Sequence, residues 1–249
     1  MRKLQVFIIL LFASFSLFAA DAPYSNWWQQ ANNHYQKQQY DSAAAYYEKI
    51  ASQNPDDAVV YYNLGNAYYR LNAIGPAVLN YERALHLDPG NKQAKDNLSL
   101  TQSRIGNRIQ GAEDIFFVRW WKTITGADKA NIWAVISLLV FLSWIGWLIA
   151  SRLGKARRPD VRIQIALGTG LALLLIFSYT ASMRRADSGH AVIMEPDAEL
   201  MNAPRESKYQ SLLPEGTTVR IEQAENNWVE IQLPDGRTGW IQKDKLTKI

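Results

Sequence analysis

There is no cysteine in the 249 residues of this chain. That excludes disulfide staples, a thiol nucleophile and any cysteine-ligated metal, so each folded part must be held by its own core. Histidine is nearly as scarce. His34, His86 and His190 stand apart, and none has the His-Glu-x-x-His spacing that puts two imidazoles on one helix face. Gly-x-Ser-x-Gly is missing, as are a Gly-rich phosphate loop and a glutamate pair in a hydrolase setting. No cofactor or metal is implied, an enzyme is not expected, and His86 reads as a solvent-facing side chain. A basic surface is lacking as well. The net charge is +4, yet residues 21–130 carry 11 basic and 11 acidic side chains, and residues 186–249 carry 7 against 11. The excess lies in Arg2, Lys3, Arg184, Arg185 and a short cluster, Arg152, Lys155, Arg157, Arg158 and Arg162, set against the single acid Asp160. Nucleic acid is therefore not an expected partner.

What is present begins with three apolar runs. Leu4–Phe18 follows Arg2 and Lys3 and ends in small residues, the order of a secretory signal peptide over 1–20, cleaved near Ala19 or Ala20. The alternative is an uncleaved anchor. Ile132–Ala150 and Ile163–Ser182 are each close to the ~20 residues a membrane helix needs. Spans over 131–151 and 163–183, joined by the five-cation loop 152–162, predict a transmembrane hairpin with that loop in the cytoplasm. Both flanking regions then lie in the periplasm of a bacterium, anchored in its inner membrane. Trp133 at one end of the first span, and Trp144 and Trp147 at the other, suit the two interfaces. Neither span carries an acid, base or histidine between its ends, so the hairpin reads as an anchor. Gly168, Gly170 and Ala172 either let the second helix pack closely or are ordinary small residues of such helices.

Before the hairpin the chain repeats itself. Ala43, Tyr47 and Pro55 recur 34 positions later as Ala77, Tyr81 and Pro89, and Trp27 and Ala31 recur as Tyr61 and Gly65. This period looks like the tetratricopeptide repeat, a helix-turn-helix unit that stacks into a protein-binding groove. Units over 24–57 and 58–91 follow, with a capping helix from Asn91 to about Arg104 within a repeat region of 21–106. The resemblance implies that the first helix of each unit lines the groove. That brings Trp28, Asn32 and Tyr35 beside Tyr62, Asn63, Asn66, Tyr69 and Arg70, asparagines for a peptide backbone and aromatics for its side chains. Asn32 and Asn63 match the asparagines with which some members clamp a carboxylate, but Trp28, Gln93 and Asn97 stand where cations are expected. In the linker 107–130, Ile115–Lys122 sets adjacent tryptophans between Arg119 and Lys122. It reads as a segment on the bilayer surface, or as a helix buried against the repeats.

From His190 the period drops to two. Alternating segments at 191–194, 218–221, 228–232 and 238–241 are separated by Pro196-Asp197, Pro214-Glu215-Gly216 and Pro234-Asp235-Gly236. Asn-Asn-Trp-Val-Glu-Ile followed by Asp-Gly-Arg-Thr-Gly-Trp-Ile is similar to the bacterial SH3-like domain, here over 188–249. The resemblance implies an adaptor for peptides, proteins or peptidoglycan, with Trp228 and Trp240 as its ligand face. Alternation puts Val229 and Ile231 in the core and turns Trp228 outward.

The expected fold is multidomain α + β: all-α tetratricopeptide repeats, a two-helix transmembrane hairpin and a small C-terminal all-β SH3-like barrel. This architecture resembles the Bacteroides aerotolerance (Bat) family. The resemblance implies a complex with Bat proteins carrying von Willebrand factor A domains and with a MoxR-type ATPase, linked to oxidative-stress tolerance. Three functions fit: a scaffold for partner proteins, a cell-wall sensor that binds peptidoglycan, and an accessory factor for exported proteins.

Overall fold

The structure is a computed structural model that describes residues 25–111, 115–154, 160–186, 189–205 and 209–249. The expected signal peptide, and Lys155, Arg157 and Arg158 of the basic loop, lie outside these residues. Five helices come first: α1 (Ser25–Gln36), α2 (Tyr40–Gln53), α3 (Ala58–Arg70), α4 (Ile74–Leu87) and α5 (Lys92–Gln102). Asp57 starts α3, its carboxylate accepting from the amides of Val59 at 2.9 Å and Val60 at 3.3 Å, and Asn91 caps α5 in the same way. Small residues set the crossing of α3 and α4. A Cβ on Gly65 would lie 2.7 Å from the Tyr81 ring, so the ring packs directly on the α3 backbone. Ala77 and Ala84 are fully buried, as is Tyr81 between them.

The membrane-like part follows. α6 (Phe116–Ile124) leads through a short 3-10 turn (Ala127–Lys129) into α7 (Ala130–Arg152), which packs antiparallel to α8 (Val161–Ala186). Both α7 and α8 are long and apolar enough to cross a membrane. At ~1.5 Å per residue the 23 residues of α7 span about 34 Å, against a hydrocarbon core of ~30 Å. Gly168 meets the Trp144 ring, where a Cβ would sit at an ordinary 3.6 Å, while a Cβ on Gly170 would meet nothing within 4 Å. The close-packing expectation therefore applies to the first glycine and not the second. Trp133 sits near the N-terminal end of α7, where its indole N–H donates to the Ile124 carbonyl at 2.7 Å and its ring lies 5.2 Å from Phe177.

The C-terminal part is one antiparallel sheet of seven strands: β1 (His190–Ile193), β2 (Ala198–Met201), β3 (Tyr209–Leu213), β4 (Thr218–Glu225), β5 (Trp228–Gln232), β6 (Thr238–Gln242) and β7 (Leu246–Lys248). Their order is β3-β2-β6-β5-β4-β1-β7. Alternation found β1, β4, β5 and β6. β2, β3 and β7 were not legible, because Ala-Glu-Leu-Met, Tyr-Gln-Ser-Leu-Leu and Leu-Thr-Lys show no sustained apolar–polar alternation. Val229, Ile231 and Ile241 point into the core, as the period required. The Gly-Trp pair has a steric reason. A Cβ on Gly239 would lie 2.7 Å from Leu200 and 2.8 Å from the Met201 carbonyl, where β2 meets β6.

Repeats and sheet are packed against each other. α4 bears on β1, with Val78 and Leu79 sharing a buried cluster with Val192. Glu215, in the turn before β4, accepts from the Gly75 amide at 2.7 Å, at the start of a helix whose own N-cap, Ala73, offers no side-chain oxygen. One period earlier that position carries its own carboxylate, Asp41, in the first turn of α2. In the second unit the position is glycine, and a Cβ there would meet Glu215 at 2.9 Å. The segment after α5 follows the barrel: Ile105 and Ile74 crowd Gly216, and Ile109 packs on the barrel core.

Candidate binding surfaces

The concave face of the repeats is built by α1, α3 and α5. Trp28, Asn32, Tyr35, Tyr62, Asn63, Asn66 and Tyr69 are partly exposed there, and Arg70 is exposed. Much of their polar capacity is used internally. The Tyr47 hydroxyl donates to Asn32 Oδ1 at 2.7 Å, and 34 residues on the Tyr81 hydroxyl donates to Asn66 Oδ1 at 2.8 Å. The same oxygen of Asn66 accepts from Asn97 at 2.9 Å, which uses both of its lone pairs and leaves its Nδ2 for an external acceptor. Asn63 Nδ2 donates to the Val59 carbonyl at 2.9 Å. The asparagines thus help to hold the helices of the repeats together.

Aromatics and cations complete the surface. Trp28 meets the Tyr47 ring edge-on at 5.7 Å, and Tyr35 meets Tyr40 at 5.2 Å. Arg70 lies over the Tyr40 ring at 5.4 Å and donates to its hydroxyl at 3.1 Å. Arg104 lies over Tyr69 at 4.0 Å. Asn97 had been read only as a replacement for a cation, and Arg104 had not been read at this surface, although it stands one period after Arg70 and the repeat itself would have found it. Burial pushes the Tyr47 hydroxyl up to about 12 and raises that of Tyr81, so both stay protonated and keep donating.

On the sheet, Trp228 and Trp240 share the outer face of β5 and β6. Trp228 pairs with Gln242 and Glu230 with Trp240, so the two indoles are diagonal neighbours, both partly exposed. Trp228 borders a cleft of about 270 Å³ with Glu195, Asp197, Glu199, Met201 and Lys245. Lys245 bonds Glu195 at 2.6 Å, which raises the lysine's pKa. The carboxylates lie around the Pro196-Asp197 turn, where only turn chemistry had been read. His86 borders a separate cleft with Tyr61 and Arg83. No group of three metal-capable side chains occurs among the described residues.

Residues 29–92 match the family model of the tetratricopeptide repeat, and residues 205–248 match that of the bacterial SH3 domain. Both domains are present in this chain, and both are typically non-catalytic binding modules. No curated protein matches it. Among solved structures, the TPR2B-domain–pHsp70 complex of yeast Sti1 is similar at 13% identity, over 65% of this chain and 97% of that one. The TM-score of that match is 0.31.

Proposed function

We propose that this chain is a non-catalytic, multi-pass adaptor of the bacterial inner membrane that gathers partner proteins on its periplasmic side. One observation carries the reading: the SH3-like barrel docks on the back of α4, so the concave face of the repeats and the Trp228 cleft are both left open on one body. Contact between α4 and β1 supports both domains lying at the same end of the hairpin. The charge of the 152–162 loop puts the other end in the cytoplasm. The architecture favours Bat proteins with von Willebrand factor A domains as partners, with a MoxR-type ATPase in the same complex and a role in aerotolerance. A photoreactive residue in place of Tyr69 should crosslink to a von Willebrand factor A protein in intact cells, and a clean blank there would sink the proposal.

The polar cleft beside Trp228 favours a second reading, in which the SH3-like domain binds peptidoglycan. Detergent-solubilised full-length chain should then sediment with purified sacculi and lose that property in Trp228→Ala. Equal sedimentation of the two proteins, or none of either, rejects it.

A further inference from the structure

The hairpin covers only half of the apolar arc of α6. At ~100° per residue, Phe116, Trp120, Ile124, Phe117 and Trp121 fall within one arc of about 140°, and Arg119, Lys122 and Thr123 fall on the other side. One edge of the arc is engaged. Trp121 meets Phe177 of α8 edge-on at 5.4 Å, and the Ile124 carbonyl takes the Trp133 indole N–H of α7. The rest of the arc stands clear of protein: Phe116 is 71% exposed, Phe117 73% and Trp120 48%, continued by Ile115 at 69%. No residue of α6 is buried, so it is not a helix packed under the repeats.

We propose that lipid covers these bare side chains. α6 is then a third membrane element, lying in the outer interface of the bilayer with Phe116, Phe117 and Trp120 at the acyl boundary. Continuity selects the occupant. The helix is clamped by aromatic rings to the outer end of α7 and α8, and one short turn separates it from α7. A surface on which three bulky apolar side chains stand clear within five residues is stable beside a bilayer and a liability in water. Tryptophan also favours this depth, its ring among chains and its N–H among headgroups. The consequence reaches the binding groove. Lys95 of α5 lies 3.9 Å from Asp128 in the turn between α6 and α7, so a helix fixed at the interface holds the repeats close to the membrane surface.

The proposal rests on α7 and α8 spanning the membrane, and the test separates the two. Because the chain has no cysteine, single cysteines can be spin-labelled without other changes. Phe117→Cys, Trp120→Cys, Arg119→Cys and Leu139→Cys of the full chain would be labelled in vesicles of phosphatidylethanolamine and phosphatidylglycerol. Collisions with oxygen and with a nickel chelate would then be compared. Labels at 117 and 120 should favour oxygen over nickel, at a depth shallower than 139, while 119 favours nickel. The proposal fails alone if 139 is lipid-exposed but 117 and 120 are as nickel-accessible as 119, or are shielded from both probes by protein. Nickel access at 139 would overturn the membrane hairpin together with it.

Discussion

Tyr47 and Tyr81 each donate to an asparagine on the first helix of their own unit, at 2.7 and 2.8 Å, one period apart. A protonated phenol fits here, and a phenylalanine of the same shape would give up a hydrogen bond worth ~0.5–1.5 kcal/mol. Gly65 obeys a stricter constraint. Replacing it with alanine gains ~1 kcal/mol of helix propensity. The new methyl would press on the buried Tyr81 ring from 2.7 Å, an overpacking that costs ~1–3 kcal/mol. Gly65→Ala should therefore unfold at lower urea than the wild type, followed by circular dichroism. An unchanged or higher midpoint would mean that the ring swings aside.

Among the elements, α4 depends most on distant sequence. Its first turn is capped by Glu215, whose carboxylate also meets the positive end of the helix. Loss of such a cap costs ~0.5–2 kcal/mol. In Glu215→Ala, hydrogen exchange of the Gly75, Ala77 and Val78 amides should quicken by roughly two- to thirty-fold, a range set by ~1.4 kcal/mol per tenfold. Unchanged protection would show that the contact with the barrel is incidental. Farther along the helix, Thr218 donates to Glu82 at 3.2 Å, and burial raises the Glu82 pKa above the ordinary carboxylate range, with the hydroxyl only partly offsetting it. A carboxyl raised in the folded state stabilises it fully below the unfolded pKa of ~4.3, and that stability is lost as pH rises through the folded value. Glu82→Gln keeps an acceptor for Thr218 and removes the charge. It should resist urea better than the wild type at about pH 7.5, and the gap should close as pH falls toward about 4. A gap independent of pH would show that the charge of Glu82 is not what matters.

For the whole molecule, membrane topology is the property to check first. A phosphatase fused after Ile249 should be active in the periplasmic arrangement, and activity of a cytoplasmic reporter at the same site would reverse it. Two repeats and a cap fall below the three units such arrays usually need. The barrel adds support on another side of α4, where Val78 and Leu79 bury against Val192.

Much of this was legible from local patterns. The 34-residue period gave the crossing of α3 and α4, the apolar lengths gave α7 and α8, and period-two alternation separated Val229 and Ile231 from Trp228. Each of these is a constraint between residues close in sequence, or at a fixed spacing, so it leaves a trace in the order of residue types. The short strands β2, β3 and β7 left none, and the groove asparagines gave no hint that tyrosines already occupied their oxygens. The docking of the barrel was also beyond reach. Gly75 and Glu215 stand 140 residues apart, and one hydrogen bond at that separation imposes no period. Sequence alone therefore determined the parts and the absence of cysteine chemistry. Only the tertiary structure decided that the second repeat, with glycine where the first carries Asp41, takes its helix cap from the barrel, because that requires three-dimensional proximity which no local spacing encodes.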